Sequence, residues 1–245
     1  MTTAPVFLVD PLPAADSFVL DGPEGHHAAA VRRLRPGEEL IVSDGKGNVV
    51  ACVVSSTGRD TVDLQVADRW AEPVAQPRLI LAQALIKGDR GELAVELATE
   101  AGVDVIVPWR ASRSVVRWDD GPRGAKALGK WRSTAREAAK QSRRAWVPEV
   151  WEPVSTAGLV DLVGRSAGAL LTDGSANTPI AEADFPTWGD LVVIVGPEGG
   201  TTDEESSLLG AAGAQVVRLG RTVLRASSAG AIAVSVLGVL TRRWR

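Results

Sequence analysis

Over the first 70 or so residues the apolar positions fall in short, alternating runs. Residues 17–20, 39–43, 49–54 and 61–66 each read as strands, the last placing Val62, Leu64 and Val66 on one face. The connectors Asp44-Gly-Lys-Gly-Asn48 and Thr57-Gly-Arg-Asp60 hold residues that tolerate positive φ, as tight turns between strands require. This pattern predicts a compact β-barrel-like module. Between the first two strands, residues 23–34 read as a short helix stopped by Pro36-Gly37. Its end projects the guanidinium groups of Arg32, Arg33 and Arg35, either into solvent or toward RNA.

The pattern changes after Ala71-Glu-Pro-Val-Ala-Gln-Pro77, which has two prolines and no hydrophobic period. Beyond it, strands alternate with helices: strand 79–85, helix 91–101, strand 103–108 and a long basic helix over 122–144. Then come a helical stretch at 159–163, buried strands at 169–172 and 191–195, a helix at 204–212, a strand at 215–219 and a buried helix at 226–240. This is α/β grammar. It predicts a barrel-like domain over residues 1–72, a linker over 73–77 and an α/β domain over 78–245. The helix at 91–101 carries Leu93, Leu97, Ala98 and Ala101 on one face, has Asp89 with Glu92 as a capping pair and stops at Gly102. The basic helix is expected to bury Leu128, Trp131, Ala135, Ala138 and Ser142, leaving Arg132, Arg136, Lys140 and Arg144 as another row.

Composition narrows the function classes. The chain has 245 residues, 45% hydrophobic and 23% charged, which excludes wholesale disorder, collagen and coiled coil. With Cys52 as its one cysteine and only His26 and His27 as imidazoles, neither an intrachain disulfide nor a metal centre is expected. The start, Met1-Thr-Thr-Ala-Pro-Val-Phe-Leu-Val-Asp10, lacks a basic region, so a cytoplasmic location is expected. The apolar stretch 229–240 is too short for a membrane span. Net charge is −3, yet between Arg110 and Arg144 there are 11 Lys/Arg against 3 Asp/Glu. Solvation and a phosphate-tracking surface both account for such a stripe. The second becomes favourable once counterions are released from RNA or DNA and is preferred because the row runs through the same stretch as Arg113, Arg117, Arg123, Lys126 and Lys130; it names Arg113, Arg132, Arg136, Lys140 and Arg143 as RNA-contacting candidates.

The stretch Leu191-Val-Val-Ile-Val-Gly-Pro-Glu-Gly-Gly-Thr-Thr-Asp-Glu-Glu205 is a buried strand, a glycine-rich bend and a helix start. Thr201 with Glu204, or Thr202 with Glu205, offers a capping box, and the glycines allow a ligand close to the backbone. There is no Gly-x-Gly-x-x-Gly and no Gly-Lys-Ser/Thr, and Glu198 repels an anion, so phosphate is not the expected guest.

Together with Leu170-Leu-Thr-Asp-Gly174 and Leu219-Gly-Arg-Thr-Val-Leu-Arg-Ala-Ser-Ser-Ala229, that loop resembles the SPOUT methyltransferase superfamily. Further motifs narrow the likeness: Lys87-Gly-Asp-Arg90, Ala98-Thr-Glu-Ala-Gly-Val103, Arg113-Ser-Val115, Glu137-Ala-Ala-Lys-Gln-Ser-Arg143, Gly196-Pro-Glu-Gly-Gly200 and Leu219-Gly-x-x-Val-Leu-Arg225. In this order they resemble the bacterial 16S rRNA uridine-N3 methyltransferases over nearly the whole chain. That family begins with a PUA-like β-barrel, matched here around His26-His27 and Val31-Arg-Arg-Leu-Arg-Pro-Gly37.

The resemblance implies an α/β fold with a trefoil-knotted parallel sheet flanked by helices, the final helix threaded beneath two loops. Periodicity alone would not propose a knot. It implies S-adenosylmethionine as cofactor, a homodimer, and 16S rRNA or the small ribosomal subunit as partner. Matched to the family's three loops, Leu171, Thr172, Gly196, Glu198, Gly199, Leu219, Gly220 and Leu224 border the cofactor. Arg225 is the catalytic candidate, its guanidinium stabilising the charge that spreads onto the uracil carbonyl oxygens as N3 loses its proton; an ion pair to a carboxylate or phosphate is its other reading. No general base is named. The sequence departs from the family where Arg221 replaces a frequent Pro, Ser227-Ser228 a Glu-Thr pair and Leu97 a frequent Lys. Two rivals are a ribose 2′-O-methyltransferase, which usually carries Asn in the first and third loops, and a non-catalytic RNA-binding protein with a decayed knot.

Overall fold

Residues 4–244 are described by the computed structural model, and two sheets organise them. Met1 to Thr3, where the reading of the amino terminus began, and Arg245, the end of the second expected domain, lie outside the described residues. The chain divides into two units. One holds the residues up to Val74 together with Ala139–Val147, the other Ala75–Ala138 and the residues from Pro148 on.

The first unit is a five-stranded sheet in the order β1-β3-β4-β5-β2. Its strands are β1 (Val6–Leu8), β2 (Ser17–Leu20), β3 (Glu39–Ser43), β4 (Asn48–Thr57) and β5 (Val62–Ala71). All neighbours are antiparallel except β1, which pairs parallel with β3. Phe7, Leu20, Leu40, Val42, Val50, Val54, Val62 and Leu64 form its core. Cys52 lies in this core, where burial pushes its thiol up to about 11, against a smaller opposing pull from Arg69. It is therefore protonated and no nucleophile at neutral pH. β1 was not anticipated, because three residues show no period. The helix expected over 23–34 is α1 (Gly22–His26), continued by a wider turn at His27–Val31 that Arg32 N closes on His27 O at 2.8 Å.

Lys140 and the residues after it complete this unit. The Lys140 ammonium, with only 7% of its side chain exposed, donates to Glu24 Oε1 at 2.9 Å and Oε2 at 3.1 Å. Ser43 Oγ donates to Ala145 O at 3.1 Å, and Trp146 Nε1 donates to Glu72 O at 2.9 Å. Lys140 thus leaves the row of outward cations in which its spacing placed it. A shielded ammonium is tolerable only with a carboxylate beside it.

The second unit is built on a six-stranded sheet of order β11-β9-β10-β6-β7-β8. Its strands are β6 (Arg78–Ala84), β7 (Val105–Trp109), β8 (Glu149–Val150), β9 (Gly168–Thr172), β10 (Asp190–Val195) and β11 (Ala214–Val217), and every pairing is parallel. Alternate residues of β6 face opposite layers. Leu79 and Leu81 pack with α2 (Arg90–Glu100), α3 (Pro122–Gln141) and α6 (Ala226–Leu240), through Val95, Ala98, Trp131, Ala135, Ala233 and Leu237. Ile80, Ala82 and Ala84 face the layer of α4 (Thr156–Arg165) and α5 (Asp203–Ala211), through Leu159, Leu162 and Leu209. Two covered faces explain why these strands read as continuous apolar runs.

Local signals set most boundaries. α2 gives way to Gly102 at φ +96°, and α4 begins where Ser155 Oγ accepts from Gly158 N at 3.2 Å. The Asp89 side chain makes no cap, and Glu92 instead pairs with Lys130 at 3.2 Å. α3 ends three residues before the expected Arg144, and Arg143 then adopts φ +58°. Among the described residues, no helix is long and apolar enough to cross a membrane, and no group of three or more His, Cys, Asp or Glu side chains is placed to hold a metal ion.

Removing one partner of the shielded Lys140–Glu24 pair takes a charge-assisted contact from the other in a shielded place. Lys140→Ala and Glu24→Ala are each expected to lower stability by about 3 kcal/mol, and the double variant by less than the sum of the two. Urea denaturation of the four proteins checks this.

Candidate active site

Parallel pairing brings the carboxyl ends of all six strands to one edge of the sheet. There the segments following β9, β10 and β11 enclose a cavity of about 400 Å³. Thr172, Asp173 and Gly174 come from the first segment, Gly196, Pro197, Glu198, Gly200 and Thr201 from the second. Leu219, Gly220 and the run from Thr222 to Ala226 come from the third, and Arg90 reaches in from the start of α2. Val195, Leu219, Leu224 and Ala229 give apolar wall, with Ser227 from the first turn of α6.

The third segment is the least committed to the protein itself. The backbone N–H and C=O groups of Leu219 to Leu224 form no hydrogen bond with any described residue. Peptide groups not bonded within the described chain and lying beside a cavity are available as donors and acceptors for a guest, which would take the place of the water that solvates them. A Cβ added to Gly220 would meet no atom within 4 Å, so its surroundings are open. At Gly196 the opposite holds: a Cβ would come 3.2 Å from Thr201 Cγ2, so a side chain there would need Thr201 to give by a few tenths of an ångström.

The second segment is braced from outside. Glu205, 2% exposed in the first turn of α5, forms the capping box with Thr202. Its Oε2 accepts from Thr202 N at 3.0 Å, and Thr202 Oγ1 accepts from Glu205 N at 3.1 Å. The other oxygen, Oε1, accepts from Ser112 N at 2.8 Å and Thr156 Oγ1 at 3.1 Å, tying the segment after β7 and the start of α4 to the start of α5. Burial pushes the Glu205 carboxyl upward, but the hydrogen bonds from Thr202, Ser112 and Thr156 outweigh it and hold the group below its ordinary value. Next to Ser112, Arg113 donates from Nη1 to Gly199 O and Thr201 O, both at 3.0 Å. One guanidinium thereby fixes two carbonyls of the glycine-rich bend.

Of the residues named from sequence as bordering a cofactor, Thr172, Gly196, Glu198, Leu219, Gly220 and Leu224 line the cavity, and so does Arg225. Leu171 does not: it is fully buried in β9 and packs in the layer of α4 and α5. Gly199 lies just outside the lining, its carbonyl taken by Arg113. Thr172 Oγ1 donates to Ile194 O at 2.9 Å, locking β9 to β10 at the cavity's edge. Arg225, the residue before α6, uses its carbonyl to accept from Ser228 N and Ala229 N, while its exposed side chain bonds to no described residue. Arg90, Asp173, Thr201 and Ser227 line the cavity without having been named as bordering a cofactor. Arg90 stood in a quoted motif, which was the available signal.

The cationic candidates separate. Arg32, Arg33 and Arg35 are exposed in the first unit, Arg33 at φ +56°. Arg136 and Arg143 are exposed. Arg132 is half exposed and donates from Nε to Val150 O at 3.1 Å and from Nη2 to Glu152 Oε1 at 2.9 Å. Arg113 and Lys140 are engaged as described, the first as a brace on the bend and the second inside the first unit.

Comparison with known proteins agrees with this geometry. Residues 74–238 match the model of an RNA methyltransferase domain, and residues 20–67 match that of an RNA methyltransferase PUA domain. The chain is 46% identical over 246 residues to the ribosomal RNA small subunit methyltransferase E of Mycobacterium tuberculosis and to that of Mycobacterium bovis, spanning 98% of this chain and 94% of each relative. Among solved structures it is similar to a ribosomal RNA small subunit methyltransferase E from Neisseria gonorrhoeae bound to S-adenosyl methionine. That match has a TM-score of 0.82 at 25% identity, over 97% of this chain and 98% of the other.

The Glu205 brace has a pH signature. A carboxyl held below its ordinary value of 4.5 contributes its full stabilisation above that value and loses it as pH falls through the lowered one. Glu205→Gln is therefore expected to cost about 2 kcal/mol at neutral pH, with the gap to wild type closing below pH 4.5. Thermal melts of both proteins between pH 7 and pH 3 check the sign.

Proposed function

This chain belongs to the ribosomal RNA small subunit methyltransferase E family of SPOUT methyltransferases, and from that premise we propose that it methylates N3 of a uridine in 16S rRNA, using S-adenosylmethionine. The observation that carries this reading is the cavity at the carboxyl edge of the parallel sheet, lined by peptide groups of the run Leu219 to Leu224 and by the guanidinium of Arg225, none of which bonds to a described residue.

The residues present suit that cofactor. A volume of about 400 Å³ lies in the range of small-molecule sites. Peptide donors and acceptors on Leu219 to Leu224 match the hydrogen-bonding edge of an adenine, and Val195, Leu219, Leu224 and Ala229 give the apolar walls a ring prefers. Glu198 brings a carboxylate that bonds to no described residue, suited to a cation. When bound, the cofactor supplies an electrophilic methyl group on a positively charged sulfur. The chain's own part is positioning and charge. Thr172, Gly196 and the braced bend fix one wall, so that the attacking nitrogen is held in line, where most of the advantage of proximity is gained. As N3 gives up its proton, negative charge spreads to the flanking carbonyl oxygens, and Arg225 supplies a delocalised cation to meet it. The proton leaves to solvent or a carboxylate.

The remaining parts of the reading follow. The first unit, matched by the PUA model, presents Arg32, Arg33 and Arg35 to RNA, with Arg136 and Arg143 as further contacts. The threading of α6 beneath the second and third segments, which the family implies, is supported by the packing of α6 on β6 and β10 and by Ser227 and Ala229 in the cavity wall. A homodimer is supported by apolar side chains that α5 and α6 leave exposed, among them Leu208, Ile232 and Val239. The protein works in the cytoplasm, where ribosomes are assembled.

Incubated with labelled cofactor and small subunits or 16S rRNA from a strain lacking the modification, the protein is expected to yield 3-methyluridine on digestion and mass spectrometry. Ribose methylation, or none, would overturn the reading. Arg225→Ala is expected to lower turnover by about 100-fold or more while calorimetric cofactor affinity stays within about threefold. Sedimentation equilibrium is expected to give twice the 25.7 kDa chain mass.

A further inference from the structure

The cavity has two guanidinium groups at its edge, and the reaction as derived uses one. Arg90 lines the cavity, is exposed, and makes no hydrogen bond or ion pair with any described residue. It does not stand alone. Lys87 lies three residues earlier on the turn that Gly88 closes at φ +67°, and Lys87 too is exposed and bonded to no described residue. Asp89, between them, makes no side-chain cap to α2. Other cations of this unit are engaged, Arg113 by two carbonyls, Arg110 by Asp120 at 2.7 Å and Lys130 by Glu92, whereas Arg221, exposed on the third segment, is bonded to no described residue but does not line the cavity.

Two neighbouring cations bonded to no described residue, one on the wall of a cavity and one exposed on the turn just before it, offer an anion a path from the site toward solvent. A cofactor carboxylate inside the cavity would reach Arg90 but has no use for Lys87. A nucleotide whose base enters the cavity has to leave its flanking phosphates at the rim, since the sugar-phosphate chain continues outside. Resting on the methyltransferase reading above, we propose that Lys87 and Arg90 together grip a phosphate next to the target nucleotide and so position its base over the cavity. They are positioning residues for the RNA, distinct from Arg225, which faces the reacting base. Neither was assigned a role from the sequence.

The test compares Lys87→Gln, Arg90→Gln, the double variant and Arg90→Lys with wild type. It measures 16S rRNA binding across a salt series, methyl transfer at saturating and limiting RNA, and cofactor affinity by calorimetry. Each Gln variant is expected to flatten the slope of log affinity against log salt by about 0.7 to 1, and the double variant by about twice that. KM for RNA rises by about tenfold in the double variant at moderate salt, cofactor affinity stays within about twofold, and Arg90→Lys restores the slope because a phosphate accepts either cation. An unchanged slope in both Gln variants would return the turn to solvent and overturn the proposal. A loss of cofactor affinity in Arg90→Gln with unchanged RNA binding would give Arg90 to the cofactor's carboxylate and overturn it equally. Failure of the methyltransferase reading shows separately, as absence of 3-methyluridine with the wild-type protein.

Discussion

Parallel pairing is the constraint from which the site follows. A parallel neighbour cannot be reached by a tight turn, so every connection in the six-stranded sheet crosses over a face, and helices occupy both faces. The crossovers carry the chain back to the starting edge, which leaves the carboxyl edge to the segments that depart from β9, β10 and β11. Those three strands are neighbours or next neighbours in the sheet order though the chain visits them in another sequence. Their departing segments therefore meet, and a cavity lined by all three is the geometric result.

What lines the cavity is mostly main chain, and that choice has a physical logic. Peptide groups have no rotamers to freeze and keep their direction when the backbone around them is fixed. Fixing it is then the task of side chains placed outside. Glu205 collects donors from three separate segments on one carboxylate, and Arg113 donates to two carbonyls of the glycine-rich bend. Both braces are charge-assisted, which makes them stronger than neutral bonds of the same length. The third segment has no comparable brace, and its peptide groups from Leu219 to Leu224 are the ones left without partners. Rigid on one side and uncommitted on the other is an arrangement suited to a guest that completes the wall.

Charge is used in three ways that a count of cations does not separate. Lys140 is turned inward against Glu24 and holds the first unit together. Arg113 braces the bend, and Arg132 joins Glu152 and the carbonyl of Val150. Arg90 and Arg225 stand at the cavity bonded to no described residue, and Arg32, Arg33, Arg136 and Arg143 are exposed. Lys140, Arg113 and Arg132 are thereby committed within the protein, so the basic stretch overstates its own reach.

The sequence by itself determined the elements and the order in which they come. Short alternating runs gave the first sheet, and buried apolar runs between amphipathic stretches gave the parallel one, because both periods depend only on which faces meet water. Through the resemblance to a family's three loops it also supplied Thr172, Gly196, Glu198, Leu219, Gly220, Leu224 and Arg225 for the cavity, whereas the glycine-rich bend after β10 by itself marked only a place where a ligand can approach backbone. The tertiary structure decided which neighbour each polar group would find. Leu171 and Lys140 point inward, Thr202 rather than Thr201 caps α5, Asp89 caps nothing and Arg90 enters the cavity. β1 and β8 were illegible because strands of three and two residues carry no period and exist through their partners alone. Periodicity reports a residue's exposure to solvent, whereas the partner of a buried charge or an unpaired peptide group is fixed only when segments distant in the chain are brought side by side.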